Sequence, residues 1–485
     1  MGRIIFNDFS GGLSDSKWRG IEGSFSKLVG IDTHQTPGTI TVHQRLDKDS
    51  GNTVDALCRV SVSVSATSEQ YWFSYTTGKV WRRTSAGVWS LAYTTSPAAG
   101  SAGCLGAAVY NGFIYWATQS RLHRIAATVA ALADWDANAS PNFATFSATD
   151  SEFHPMVPNL NGKLWIGDAN LIASVDSSAT FTASALNLVA PLRVKCLYPF
   201  NVDLLIGTII SSTVNICQIV RWDTIQSSWQ YAEWLEYNGV NCFLQTTEAV
   251  LAQVGQAGHW TYYDGQTLKP YKRIPGTWTP TKYGEVYPGS VGTFLGQPIF
   301  GLSNSPDAAN STGNPADQGI YSFGNYSKDY PRVISGPDWI ISQDDVTAIE
   351  IGAILVERND LYVAWKEGSN FGVDKLNWSA KYASAYMETK IVNTEPLLQQ
   401  LTNFARYFAD YNSLPSSTAI TFKYSKNGAA YSSALTSSTD TEATRVYAEE
   451  LLQARTLQLR VEFTISANNA PVVEALGIET VDPSK

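Results

Sequence analysis

The chain has 485 residues, room for about three domains of average size or for one large all-β ring with attachments. Hydrophobic residues make up 44% and aromatic ones 12%, which excludes intrinsic disorder. Only 16% of residues are charged, against about 25% in an ordinary soluble protein. The net charge of −9 excludes the basic footprint of a dedicated nucleic-acid binder.

The start, MGRIIFNDFSGG, lacks the long apolar stretch of a secretory signal, and Phe6 stands where a myristoylation motif wants Ser or Thr. Residues 1–50 read as an extended arm interrupted by Gly11-Gly12, Gly20, Gly23, Gly30 and Pro37-Gly38. Its one strand-like piece is Thr39–Leu46, with Ile40 and Val42 alternating against Thr39, Thr41 and His43. Such an arm cannot bury enough surface to fold alone, so it is expected to lie across this chain's own ring or a neighbouring subunit.

From residue 51 to 383 a short apolar cluster recurs, frequently ending in a small residue. It reads YWFS (71–74), IYWA (114–117), LWIG (164–167), LLIG (204–207), VLAQ (250–253), PIFG (298–301) and LYVA (361–364), at intervals of 40–63 residues. Turn signals precede three clusters: Asn111-Gly112, Asn161-Gly162 and Asn359-Asp360. Asn-Gly between apolar runs favours a type I′ hairpin. Apolar strands precede at least two clusters (LGAAVY, AIEIGAILV), and strands such as KVWRR, RLHRI, VWSLAY and SWQYAEWL follow. Three to four strands per period of about 40–50 residues is the arithmetic of a β-propeller. Seven blades fit best; six or eight also fit the spacing, and a pair of sandwiches is the competing architecture. Residues 196–220, the most membrane-like stretch, are broken by Asn201, Asp203 and Asn215 and read as two strands with a turn. Helical periodicity is confined to 125–133 and to 395–410, where Leu397, Leu401, Phe404 and Phe408 recur.

Residues 384–485 are expected to form a β-sandwich. Ala419–Tyr424 and the turn at Lys426-Asn427-Gly428 read as a hairpin arm. Leu457, Leu459, Val461, Phe463 and Ile465 point to a core, while Gln458, Arg460, Glu462 and Thr464 point to water. The last strand, VVEALGIETV, follows Pro471 as an edge strand does.

Chemistry is scarce. Cys58, Cys104, Cys196, Cys217 and Cys242 are scattered without a CxxC pair and read as free core thiols of a reducing compartment. His34, His43, His123, His154 and His259 show no HExxH or HxH spacing, and His123 reads as a structural residue. No GxSxG, GxxxxGK[ST] or GxGxxG occurs. Asp134, Asp136 and Asn138 open like a calcium loop, but Ala139 and Thr145 replace the required Gly and Glu. Ser174–Phe181 resembles a sialidase Asp box, itself a hairpin-turn device. No catalytic, cofactor or metal residues are assigned. Trp260, Tyr262 and Tyr263 in GHWTYYDG, like Trp222, Trp229 and Trp234, serve either as a recognition surface stacking on sugars or as aromatics between blades. The turn-rich stretch 303–319 is a second candidate recognition loop.

FNDFSGGL (6–13), GID (30–32) and PGTITVHQRL (37–46) resemble the opening of many tailed-bacteriophage virion proteins: F-x-GG-[LI], a short arm, then PG-x-[LI] and a basic residue before a propeller. Phe9, Gly11, Gly12, Leu13, Pro37, Gly38, Ile40 and Arg45 match; Gln44-Arg45-Leu46 departs, since a more basic stretch followed by Gly is usual there. The resemblance covers about 45 residues. It implies a non-enzymatic tail nozzle or hub subunit: a homo-oligomer, commonly sixfold, below the portal and adaptor, with tail fibres as further neighbours. DNA passes through its lumen, and assembly takes place in the host cytoplasm. The low charge suits subunit packing, and like-charged walls repel passing phosphates. Two other classes remain open on sequence alone: a peripheral tail adhesin that binds host glycans, and a glycoside hydrolase with two carboxyls about 5–9.5 Å apart.

Overall fold

The seven apolar clusters are the second strands of seven consecutive antiparallel sheets, and the inner strand of each sheet contacts the next until the ring closes. This is a seven-bladed β-propeller, seen in a computed structural model. It describes residues 2–481 except 15–17, 19–22, 35–37, 96–102, 129–134, 136–139, 247–248, 266, 275–283, 305–318, 326–330, 344–348 and 393–401. Blades 1 to 6 occupy 58–94, 106–145, 156–187, 193–235, 240–273 and 284–339; blade 7 takes 349–381.

The clusters are apolar for a physical reason. A second strand is paired on both sides and covered on both faces by neighbouring blades, so it has no wet side. Glu69–Ser74 and Val250–Val254 are accordingly buried at every position. The small residue ending a cluster leaves room for the next blade. A Cβ on Gly207 would stand 2.7 Å from Val240 Cγ1, and one on Gly301 only 2.3 Å from Ile351 Cγ2. Both Asn111-Gly112 and Asn161-Gly162 adopt positive φ, as a type I′ turn requires. At the third signal the turn residues are Arg358-Asn359, one position earlier than expected, and Asp360 already pairs with Glu357.

The ring closes with a strand from the arm. Gln44–Lys48 pairs antiparallel with Asn370–Lys381 and supplies the fourth strand of blade 7. The expected boundary at residue 50 is thus crossed. It is crossed again in the sandwich, where Gly2–Phe6 pairs with Val473–Val481 and Lys27–Val29 with Tyr386–Glu388. One sheet runs Gly2–Phe6, Val473–Val481, Thr402–Tyr411, Thr444–Ala454; the other runs Lys27–Val29, Tyr386–Glu388, Leu457–Thr464, Ala419–Lys426, Ser432–Ser437.

Three sequence expectations are corrected here. The final strand is central, flanked on both sides, because the arm covers its outer edge. The helical reading of 395–410 fails where it is described, since Thr402–Tyr411 is a strand; Ile125 likewise lies in the strand Arg121–Ala126. Gln458 is buried under the arm, its amide donating to Ser26 Oγ and the Thr389 carbonyl at 2.8 Å each.

One continuous hydrophobic cluster joins arm, ring and sandwich. It contains Phe9, Leu13, Phe25 and Ile40 of the arm, Trp260, Phe300 and Ile334 of the ring, and Phe404, Leu459 and Leu476 of the sandwich. The two bodies share a core through the arm.

Candidate functional site: the axial channel

The inner strands of all seven blades surround an axial cavity of about 520 Å³. Its wall includes Val60, Ala107, Val157, Leu197, Phe243 and Ile354 from six blades, with Ser61, Tyr75 and Tyr198 among them. One mouth widens into a charged cavity of about 310 Å³ that includes Arg59, Glu152, Arg193, Lys195, Glu285 and Tyr287.

The charges of this mouth neutralise one another. Arg59 is clamped between the rings of Tyr75 and Tyr287, 3.7 and 4.1 Å from their centroids, and donates to the Tyr287 hydroxyl at 3.1 Å. That hydroxyl donates to Glu350 at 3.0 Å, and Glu350 also accepts from Lys366 at 2.6 Å. Burial disfavours a charge on Glu350, yet Lys366, Tyr287 and Arg59 together hold its carboxyl below the ordinary range. Lys195 is buried and donates to Asn241 at 2.6 Å and to Glu285. Arg193 binds Asp150 at 2.8 Å and Glu152 at 3.0 Å. Burial opposes the Asp150 charge as well, and Arg193 with the backbone amides of Glu152 and Phe153 outweighs it, keeping that carboxyl low.

A glycosidase needs one carboxyl kept protonated near neutral pH. Here Glu152, Glu285 and Glu350 each face a cation. The cavity has the volume of a small-molecule site.

The residues singled out in the sequence fall elsewhere. Phe9 is buried and stacks on Phe25 at 5.4 Å, while Gly11 and Leu13 donate to Gly23 and Ile334 carbonyls at 3.1 and 2.7 Å. Gly12 has φ +59°, and a Cβ there would lie 2.5 Å from the Ile334 carbonyl oxygen; only glycine lets the arm lie this close to blade 6. Ile40 exchanges both backbone hydrogen bonds with Val473. Gly38 is an exposed turn residue at φ +81°, and Pro37 lies outside the described residues. Arg45 sits on the ring-closing strand, half exposed and paired with Asp47 at 2.8 Å.

Trp260, Tyr262 and Tyr263 do not form a loop. All three lie in the strand His259–Tyr263, where Trp260 and Tyr263 are 1% exposed. Trp260 packs 4.7 Å from Phe300 and edge-on to Phe323, so its face is closed to a sugar. His123 is buried, stacked on Trp116 and bonded to Thr118, as a structural histidine. Asp176 accepts from the Ser178 and Thr180 amides, which confirms the Asp-box-like segment as a turn device. All five cysteines are free and buried, and burial pushes the Cys104 and Cys217 thiols up to about 12 and about 11. The calcium-like residues Asp134, Asp136 and Asn138 and most of 303–319 lie outside the described residues. No helix among the described residues is long and apolar enough to cross a membrane.

Sequence reasoning missed the mouth residues Arg59, Tyr287 and Glu350, whose spacing carries no motif. It also missed a group of His34, His43 and Asp338, brought together by the arm's short hairpin against blade 6.

No protein-family model matches the chain, and no curated protein sequence matches it. Solved structures do. The RRP9 WD40 repeats are 9% identical with a TM-score of 0.47, over 68% of this chain and 99% of that one. An exo-β-1,3-galactanase from Phanerochaete chrysosporium is 11% identical with a TM-score of 0.33, over 91% and 100%. The extracellular domain of a hybrid two-component system from B. thetaiotaomicron is 11% identical with a TM-score of 0.44, over 77% of this chain but only 44% of that one. The ring architecture itself rests on the pairing and order of the strands.

Proposed function

We propose that this chain is a non-enzymatic structural subunit of a tailed-phage virion, a nozzle or hub protein that assembles with its own copies into a ring below the portal and adaptor. The observation that carries the reading is the arm. The segment that resembles the opening of phage tail proteins is the one that closes the propeller and completes both sandwich sheets. It makes one rigid building block of two bodies, as a subunit under ejection load requires.

Other observations support this reading. Blade 4 exposes Ile225 and Val202 at 85 and 66% around one shared surface cavity, apolar groups that a neighbouring subunit would cover. On this reading DNA in transit runs through a lumen between subunits, commonly six, and the axial cavity of about 520 Å³ has the volume of a small-molecule site instead; the chain's net charge of −9 is of the sign that repels passing phosphates. The adhesin reading loses Trp260 to the core, and the hydrolase reading finds its mouth carboxylates ion-paired.

Electron microscopy and mass spectrometry of purified particles test this. The chain is expected as a ring on the tail axis, in several copies per particle. Its recovery from lysate only, with particles lacking it, overturns the proposal.

A further inference from the structure

His34 lies between the two strands of the arm's hairpin, Ile31–Asp32 and Thr41–Val42, His43 directly follows the second, and Asp338 is the next-to-last residue of the last strand of blade 6. One donor atom from each lies within 4.8 Å of the others. Asp338 is completely buried, and its Oδ1 has no hydrogen-bond partner. The same is true of His43 Nε2, which faces that oxygen at 4.0 Å. A separation of 4.0 Å is too long for a hydrogen bond. Two ligand atoms of a tetrahedral zinc, with bonds of about 2.0–2.2 Å, stand about 3.3–3.6 Å apart, so a shift of about half an ångström brings this pair onto one ion. Two buried polar atoms left facing each other without a partner are costly, and native proteins seldom keep them.

We propose that His34, His43 and Asp338 bind one divalent transition-metal ion, Zn²⁺ by their donor set, which clamps the arm to blade 6. His34 Nε2 lies 3.8 Å from Asp338 Oδ2 and supplies the third ligand. The surroundings fix these ligands in place. Gln297 bonds His34 Nδ1 at 2.7 Å, and Asp32 Oδ2 stands 3.8 Å from His43 Nδ1, the carboxylate–imidazole pairing that commonly backs a ligating histidine. Asp32 Oδ1 also accepts the His34 backbone amide at 2.8 Å, which sets the hairpin's shape. A neighbouring cavity of about 260 Å³, bordered by Asp32, His34, His43, Gln297 and Trp378, gives room for a water as the fourth ligand of a tetrahedral site. Two imidazoles with one carboxylate select a transition metal over Mg²⁺ or Ca²⁺, which take oxygen ligands.

The test uses the full chain, purified without chelator, dialysed against EDTA and titrated with Zn²⁺, with Mg²⁺ as control. Bound metal is read by inductively coupled plasma mass spectrometry and stability by thermal melting. One Zn²⁺ per chain is expected, with a higher melting temperature that Mg²⁺ does not reproduce. His34→Ala, at the half-buried ligand and so the mildest change to the fold, weakens binding about tenfold or more, and Asp338→Asn does so too. A chain that takes up no Zn²⁺ overturns the proposal. So does Zn²⁺ uptake that both variants retain unchanged.

Discussion

Ring and sandwich are both antiparallel β-structures, yet their contacts differ in kind. In the ring, strands pair in chain order within each blade, and a two-residue turn separates Tyr110 from its partner Phe113. In the sandwich, Gly2 pairs with Thr480 and Lys27 with Glu388. The ring is therefore a series of local hairpins closed by one long-range strand, whereas each sandwich sheet is completed at one edge only when the N-terminal arm reaches it. Loop-closure entropy makes such non-local pairing slow and dependent on the rest of the fold. The arm couples the two because it belongs to both.

The most severe way to break this comparison is to delete residues 1–45. An arm that merely docked on a neighbour would be dispensable, leaving a folded monomer. Here the deletion removes a strand from each sandwich sheet and truncates the strand that closes blade 7. Loss of cooperative melting and of soluble yield is expected. Trp260→Ala comes next, since Trp260 lies in the cluster shared by ring and sandwich. It should cost about 3–5 kcal/mol in denaturant unfolding, as truncation of a buried aromatic does. A stable variant that instead loses glycan binding would restore the recognition reading.

The seam itself can be titrated. Asp374 pairs in register with Lys48 of the closing strand and accepts from Trp365 Nε1 and Ser342 Oγ at 2.6 and 2.7 Å. Burial, only partly offset by the Ser342 and Trp365 hydrogen bonds, raises its carboxyl from 3.8 to about 6. The folded state then holds this proton more tightly than the unfolded one, so the group's contribution is fully present below about pH 4 and is lost as pH rises through 6. In Asp374→Asn this component vanishes. The stability of the native chain relative to the variant should fall by about 2–3 kcal/mol between pH 4 and pH 7, measured by urea unfolding at each pH. The smallest effect on folding is expected for Ile225→Lys on blade 4, far from both seams. Its stability should change by no more than about 0.5 kcal/mol, while sedimentation should show impaired self-association.

The ring was legible because each blade repeats one physical situation: a second strand with no wet side, and a small residue where the next blade approaches. LWIG at 164–167 and LLIG at 204–207 state this in four letters each. The sandwich's C-terminal strands were legible where one face stays wet, and failed at Gln458, which the arm covers. In Thr402–Tyr411, Phe404 and Phe408 are four apart, a spacing that fits a helix and, as a multiple of two, a strand. The strand places them on opposite faces: a register shift between Phe404 and Arg406 turns Phe404 into the core with Tyr407, Ala409 and Tyr411, while Phe408 lies against Arg3, Arg445 and Tyr447. Nothing in GRIIF or KLV names a partner more than 350 residues away. The donor group of His34, His43 and Asp338 was hidden for the same reason, since Asp338 joins the two histidines only through the fold.

Hydrogen exchange along the arm tests the coupling of the two regions most directly. Amides of Gly2–Phe6 and Gln44–Lys48 that bond to their partner strands should exchange as slowly as those of Val473–Val481 and Asn370–Lys381, by the same global opening. Exchange of the arm at loop rates, with the seven blades still protected, would contradict the account.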